Sequence, residues 1–90
     1  MPNIFRPQLV MKMNWLVNRE FGTTYGIRYE AEIEAACEKS TPMEIAKHIA
    51  IYHPFVDGNK RTALMILKFD ETPEKTLEKN HDIMELFSLT

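Results

Sequence analysis

The strongest constraint on this chain is one short polar segment, residues 53–61, which lies between two apolar runs at 45–52 and 63–69. The segment carries an imidazole, a carboxylate, an amide and two cations. Pro54 predicts that a helix ends at His53, because the residue before a proline avoids the α region. The sequence therefore predicts two apolar helices joined by a polar turn.

The turn has the composition of an anion-binding loop. Gly58 permits a positive φ, and Asn59 can cap a helix that begins near Lys60. Lys60 and Arg61 then lie in the first helical turn, where the macrodipole disfavours cations by about 0.3–1 kcal/mol each. A bound phosphate removes this conflict, because helix amides and nearby cations both bind anions. We therefore interpret the turn as a phosphate-binding site.

Two more side chains of the segment carry chemistry. Asp57 offers a hard oxygen ligand suited to Mg²⁺ that is bound to phosphates. His53 ends the preceding helix, and an imidazole is the usual general base for a hydroxyl near neutral pH. The competing interpretation is a purely structural turn with solvated cations, which accounts for each residue singly but not for the whole set.

The segment HPFVDGNKRTAL, residues 53–64, resembles the signature of the Fic/Doc superfamily, His-x-Phe-x-(Asp/Glu)-(Gly/Ala)-Asn-(Gly/Lys)-Arg, at every position. Lys60 stands where the adenylyl-transferring Fic enzymes carry Gly. Leu64 stands where they carry a second Arg. Both departures are similar to the Doc (death-on-curing) toxins, so the resemblance favours that branch.

A weaker similarity lies upstream and extends the resemblance to roughly residues 9–69. The segment FGTTYGIR, residues 21–28, is similar to the FGG-x-x-GIR-D segment of Doc-like proteins, although Tyr29 replaces the acid. In this superfamily a flap beside the motif holds the target, so the loop 21–29 is a candidate docking edge. A plain interhelical turn is the alternative.

The resemblance implies transfer of a phosphate-containing group from ATP, with Mg²⁺, to a Ser, Thr or Tyr hydroxyl of a target protein. It assigns His53 as the catalytic base, Asp57 as the metal ligand and, for the nucleotide phosphates, Gly58, Asn59, Lys60 and Arg61. With Lys60 in place of Gly, the resemblance favours transfer of the γ-phosphoryl group. It also implies that the target is a translation factor and that the protein is a toxin, which a small antitoxin inhibits in trans. Adenylyl transfer (AMPylation) is one alternative. A catalytically incomplete binding or regulatory module is the other, because relatives usually continue through further helices.

Apolar periodicity predicts an all-α fold, a compact Fic-like bundle of about five helices in a single minimal domain of residues 1–90. The motif occupies its central helix-loop-helix. The predicted helices cover residues 7–20, 30–39, 42–52, 60–69 and 73–89. In the first of them, the residues expected to face the core are Leu9, Val10, Met13, Leu16, Val17 and Phe21.

Other expectations concern the segments around the motif. Thr41 as N-cap and Pro42 in the first turn predict the start of the helix at 42–52. That helix is apolar on nearly all sides, so we expect it to be central. We expect Leu64 to be buried against it, Phe55 to anchor the turn in the core, and residues 1–6 to form an irregular arm.

Composition narrows the function classes. A net charge of −2 gives no global basic field, so we expect no direct nucleic-acid partner. Cys37 is alone, which excludes a disulfide framework and a cysteine-based zinc site. No apolar run approaches ~18 residues, so we expect no membrane span and a cytoplasmic setting. With 44% hydrophobic residues in 90, the core is thin, and self-association would support it.

The sequence does not match three other kinds of site. A P-loop fails because Lys60 is followed by Arg and the required earlier glycine position holds His53. A zincin fails for lack of H-E-x-x-H. His81-Asp82 matches the doublet of metal phosphohydrolases, but no downstream acid completes that site.

Overall fold

The computed structural model describes residues 5–69, which form four helices: α1 (Pro7–Phe21), α2 (Glu30–Cys37), α3 (Pro42–Tyr52) and α4 (Asn59–Phe69). No β-strand forms within that range, and an isolated bridge joins Ile27 to Phe55. The predicted all-α class is therefore confirmed. The fifth predicted helix, at 73–89, lies outside the described residues.

The pair of helices that carries the motif forms the largest helix–helix contact. Helix α3 begins as predicted, because the Thr41 side chain accepts a hydrogen bond from the Glu44 N–H at 3.2 Å. Its core face is apolar and consists of Ile45, Ala46, Ile49 and Ala50. Ile51 and Tyr52 are half exposed, so α3 is not surrounded on all sides as its composition suggested.

Helix α4 begins one residue earlier than predicted. The Gly58 carbonyl accepts the Thr62 N–H at 2.9 Å, so Gly58, not Asn59, precedes the first helical residue. The face packed against α3 includes Ala63, Ile66 and Leu67, all buried. Leu64, which was expected in this core, is only partly buried.

Helix α1 has nearly the predicted bounds, but its buried face differs from the predicted stripe. Leu16 is 40% exposed and Phe21 is 55% exposed. Two asparagines are buried in their place, and the complete buried set is Val10, Met13, Asn14, Val17 and Asn18. The apolar spacing predicted the wrong buried face, because α1 ends beside the loop that joins α3 to α4 (residues 53–58, here called the motif loop). A buried backbone carbonyl in that loop needs a hydrogen-bond donor, which an apolar side chain cannot supply.

The remaining core comes from α2 and from the residue before α1. Ile33 and Ala36 of α2 are fully buried. Phe5 is 4% exposed, and its ring packs edge to face against the Phe69 ring, with the two ring centroids 6.2 Å apart. This end of the expected irregular arm therefore belongs to the core. Burial raises the pKa of the Cys37 thiol to about 11, which disfavours the reactive thiolate. No helix among residues 5–69 has the length and apolar character needed to cross a bilayer.

Candidate active site

The joint between α3 and α4 starts with an unusual backbone turn at His53. This residue has φ 46° and ψ 59°, and its N–H donates to the Ile49 carbonyl at 3.1 Å. Within residues 5–69 it is the one non-glycine residue with positive φ. Such a conformation costs about 1–3 kcal/mol and clusters at functional sites. Its side chain is exposed, at the edge of a cleft.

The loop that follows is held closed by Asn59. The Phe55 N–H donates to Asn59 Oδ1 at 2.9 Å, and Asn59 Nδ2 donates to the Phe55 carbonyl at 2.9 Å. Phe55 itself is fully buried and anchors the loop in the core, as its sequence context predicted. Both edges of the Asn59 amide are therefore engaged in shaping the loop.

A cleft of about 660 Å³ opens beside this joint. Its wall includes every residue that the motif predicted for the site: His53, Asp57, Gly58, Asn59, Lys60 and Arg61. Three apolar residues complete the wall: Phe21, Val56 and Leu64. The fold therefore brings the predicted base, carboxylate and cations to one surface.

Asp57 is the one acidic residue among the described residues that line the cleft. Its carboxylate is exposed, and Oδ1 accepts the Gly58 N–H at 2.8 Å. Residues 5–69 contain no group of three His, Cys, Asp or Glu side chains that could enclose an ion. A single carboxylate fits Mg²⁺ that arrives with phosphates and keeps its waters.

Phe21 was expected in the core, yet it supports the cationic side of the cleft. The Arg61 guanidinium lies over the Phe21 ring, 3.9 Å from its centroid. This cation–π contact fixes Arg61 at the cleft wall. No local sequence pattern predicts this contact, because the two residues are 40 positions apart.

A buried amide network behind the loop was also missed. Asn14 Nδ2 donates to the Asp57 carbonyl at 2.9 Å and to Thr62 Oγ1 at 3.0 Å. Asn18 Nδ2 donates to Asn14 Oδ1 at 2.9 Å, and Asn18 Oδ1 accepts the Thr23 hydroxyl at 2.7 Å. The available signal was a pair of amides four residues apart on an apolar helix face.

Residues 25–29, here called the flap segment, include a stretch that pairs with the motif loop in the antiparallel sense. The Pro54 carbonyl accepts the N–H groups of Arg28 (2.7 Å) and Tyr29 (3.0 Å), and the Val56 N–H donates to the Gly26 carbonyl at 2.9 Å. A Cβ on Gly26 would lie 2.8 Å from the Val56 side chain. The loop is thus more than an interhelical turn, because its backbone is joined to the motif.

His48 is separate from this site. Its Nε2 lies 3.7 Å from Glu32 Oε1, and its ring stacks on Tyr52 with centroids 4.3 Å apart. These contacts are within the α2–α3 interface, and His48 is not among the residues that line the cleft.

Comparison with known proteins identifies the family. A family model described as Fic/DOC family matches residues 25–69, from the flap segment to the end of α4. No curated protein and no solved structure gives a significant match. Since the matched region is half of the chain and contains the motif loop with its cleft, the chain belongs to the Fic/DOC family, whose members generally transfer nucleotide-derived groups to proteins.

Proposed function

We propose that this protein transfers a phosphate-containing group, the γ-phosphoryl, from ATP to a hydroxyl of a target protein. The observation that carries the proposal is that an imidazole, a carboxylate and two cations line the same cleft at a helix start. These are the groups that phosphoryl transfer needs for proton removal and for charge stabilisation.

His53 acts as the base. Its exposed ring at the cleft edge is accessible to a hydroxyl on another protein. The hydroxyl oxygen forms a bond to the γ-phosphorus while its proton passes to the imidazole. The bond between that phosphorus and the bridging oxygen breaks, and ADP leaves with the electron pair.

The loop and the first turn of α4 hold the phosphates. Gly58 has φ 76° and no side chain, so a phosphate can approach the backbone closely. The first N–H groups of a helix have no carbonyl partner within it and bind anions. Lys60 and Arg61 stabilise the charge that develops on the transferred group. Asp57 would hold Mg²⁺, which neutralises phosphate charge when bound.

Two cleft residues favour γ-phosphoryl over adenylyl transfer. Lys60 fills space that glycine leaves open in the adenylyl-transferring enzymes, and Leu64 is apolar where those enzymes carry a second arginine. Both are as in the Doc branch. We accordingly propose a translation factor as the target, an antitoxin acting in trans as the restraint and the flap segment as the target-docking edge. Exposed Tyr25, Ile27 and Tyr29 support that edge.

The test is labelling of proteins in a lysate with γ-labelled or α-labelled ATP. We expect the γ label alone on one target, and a mass gain of one phosphate. His53→Ala keeps a Cβ, leaves the backbone strain unchanged and removes the base. A loss of about 10²–10⁴-fold in labelling rate is expected, as for other general bases. His48→Gln is the matched control, since it alters an imidazole of α3 that does not line the cleft.

Equal labelling by His53→Ala and wild type would exclude the proposed base. Label from α-labelled ATP would assign adenylyl transfer instead. If calorimetry detects no binding of Mg·ATP at millimolar nucleotide, the protein is a binding module that keeps the motif without the reaction.

A further inference from the structure

We propose that Asn14 and Asn18 of α1 are positioning residues that fix the Asp57–Gly58 peptide and, through it, the Asp57 carboxylate in the cleft. This inference rests on the proposed function, because it concerns how the same site holds Mg²⁺ and phosphate. Neither asparagine belongs to the motif or to the matched region of the chain.

Their burial needs an explanation. Asn14 is 0% exposed and Asn18 is 1% exposed, on a helix face that otherwise buries Val10, Met13 and Val17. A buried amide costs free energy unless all its polar atoms are hydrogen-bonded. Apolar side chains would extend the core at both positions without that requirement. The amides must therefore satisfy something that a leucine cannot.

Both amides donate to one backbone oxygen. Asn14 Nδ2 lies 2.9 Å and Asn18 Nδ2 lies 3.3 Å from the Asp57 carbonyl. The bonds to Thr62 and Thr23, and the bond between the two amides, hold each amide in a fixed orientation. Neither amide can flip without losing several hydrogen bonds.

The planar Asp57–Gly58 peptide links the buried Asp57 carbonyl to the orientation of the Asp57 carboxylate in the cleft. A trans peptide is planar, with its C=O and N–H on opposite edges, and no cis bond occurs within residues 5–69. Because the amides draw the Asp57 carbonyl into the core, the Gly58 N–H on the other edge points outward. There it donates to Asp57 Oδ1 at 2.8 Å and orients the carboxylate. A Cβ added to Gly58 would lie 3.3 Å from Asn14 Nδ2 and 3.3 Å from Asn18 Oδ1, so the same amides also limit the space beside this glycine.

A variant at Thr62 distinguishes a positioning role of the two asparagines from a role in stability alone. Thr62 accepts a hydrogen bond from Asn14 at 3.0 Å and is fully buried. Thr62→Val removes a buried bond of the same network and leaves both bonds to the Asp57 carbonyl available. Asn14→Leu and Asn18→Leu each remove one of the two hydrogen bonds to the Asp57 carbonyl.

The experiment uses the ¹⁵N-labelled full chain and follows the Gly58 amide by NMR during Mg²⁺ titration at fixed ATP. In Asn14→Leu we expect a shifted Gly58 resonance and faster exchange of its proton with solvent. The Mg²⁺ concentration at the titration midpoint should rise about 10–100-fold, the usual effect of losing an outer-shell partner. Asn18→Leu should have a smaller effect of the same kind, since its bond is longer. Thr62→Val should change the resonance and the midpoint clearly less than Asn14→Leu does, because both bonds to the Asp57 carbonyl remain available.

Two results would overturn the inference: a wild-type Gly58 resonance and Mg²⁺ midpoint in folded Asn14→Leu, or equal changes in Thr62→Val. If Asn14→Leu fails to fold, the Gly58 resonance and the Mg²⁺ midpoint of Asn18→Leu are compared with those of the wild type instead, and the same two results would overturn the inference. The readout does not depend on catalysis. A wild-type protein that labels no target but whose Gly58 amide responds to Mg·ATP would refute the proposed function alone, and the variants would still decide the positioning role.

Discussion

Helices α3 and α1 both bury one face beside the motif loop, but the two faces have different chemistry. The α3 face is wholly apolar, with Ile45, Ala46, Ile49 and Ala50. The α1 face mixes apolar residues with Asn14 and Asn18, whose amides reach the Asp57 carbonyl. The comparison indicates that α3 supplies stability, whereas α1 supplies both stability and the orientation of the loop.

The largest effect should come from the apolar face. Ile49→Ala removes a fully buried side chain of α3 and should lower the free energy of unfolding by about 2–5 kcal/mol. Ile51→Ala is the matched control on the same helix, because Ile51 is 50% exposed, and it should cost about 0.5 kcal/mol or less. Urea denaturation measures both variants. Similar losses for the two would contradict the assignment of the stabilising face.

An intermediate effect tests how closely the α1 face supports the loop. Gly58→Ala places a Cβ 3.1 Å from Val17 and 3.3 Å from each buried amide, on a backbone with φ 76°. The left-handed backbone alone costs about 1–2 kcal/mol with a side chain. Because the amides are held by hydrogen bonds, they cannot move aside cheaply, so the total should be larger.

Gly22→Ala is the control for Gly58→Ala. Gly22 also has positive φ, 66°, but no atom lies within 4 Å of its added Cβ. The difference between the two variants in thermal unfolding therefore measures the contact with α1. Equal changes in Tm for the two variants would mean that α1 leaves room for a Cβ at Gly58. The contrast between the α1 and α3 faces would then not hold.

The smallest effect concerns the exposed end of α1. A double-mutant cycle of Phe21→Leu with Arg61→Gln should give a coupling free energy of about 0.5–1 kcal/mol, the usual range for an exposed cation–π pair. Leu16→Ala with Arg61→Gln is the control, since Leu16 is exposed on α1 but does not line the cleft. A coupling near zero in the first cycle would remove Phe21 from the support of the cleft.

Local rules predicted the helices well. Thr41 and Pro42 fixed the start of α3, Pro54 marked its end at His53, and these signals depend only on neighbouring residues. The bounds of α4 differed by one residue, because Gly58 rather than Asn59 precedes the helix. The expected end of α2 at residue 39 was two residues late.

Periodicity was less informative where function shapes the interior. The spacing of Leu16 and Phe21 suited a core stripe, yet both are exposed. Asn14 and Asn18 were not part of the predicted stripe, yet both are buried. Apolar periodicity cannot reveal such amides, because their burial depends on a carbonyl about 40 residues further along the chain.

The sequence by itself determined the helical class, the joint between α3 and α4 and the set of polar residues at that joint. Those follow from turn chemistry, capping and spacing within a few residues. Only the tertiary structure decided that Phe21 stacks on Arg61, that the flap segment pairs with the motif loop, and that two amides hold the Asp57 carbonyl. Each of these joins residues that are distant in the chain, and their partners exist only after the helices pack.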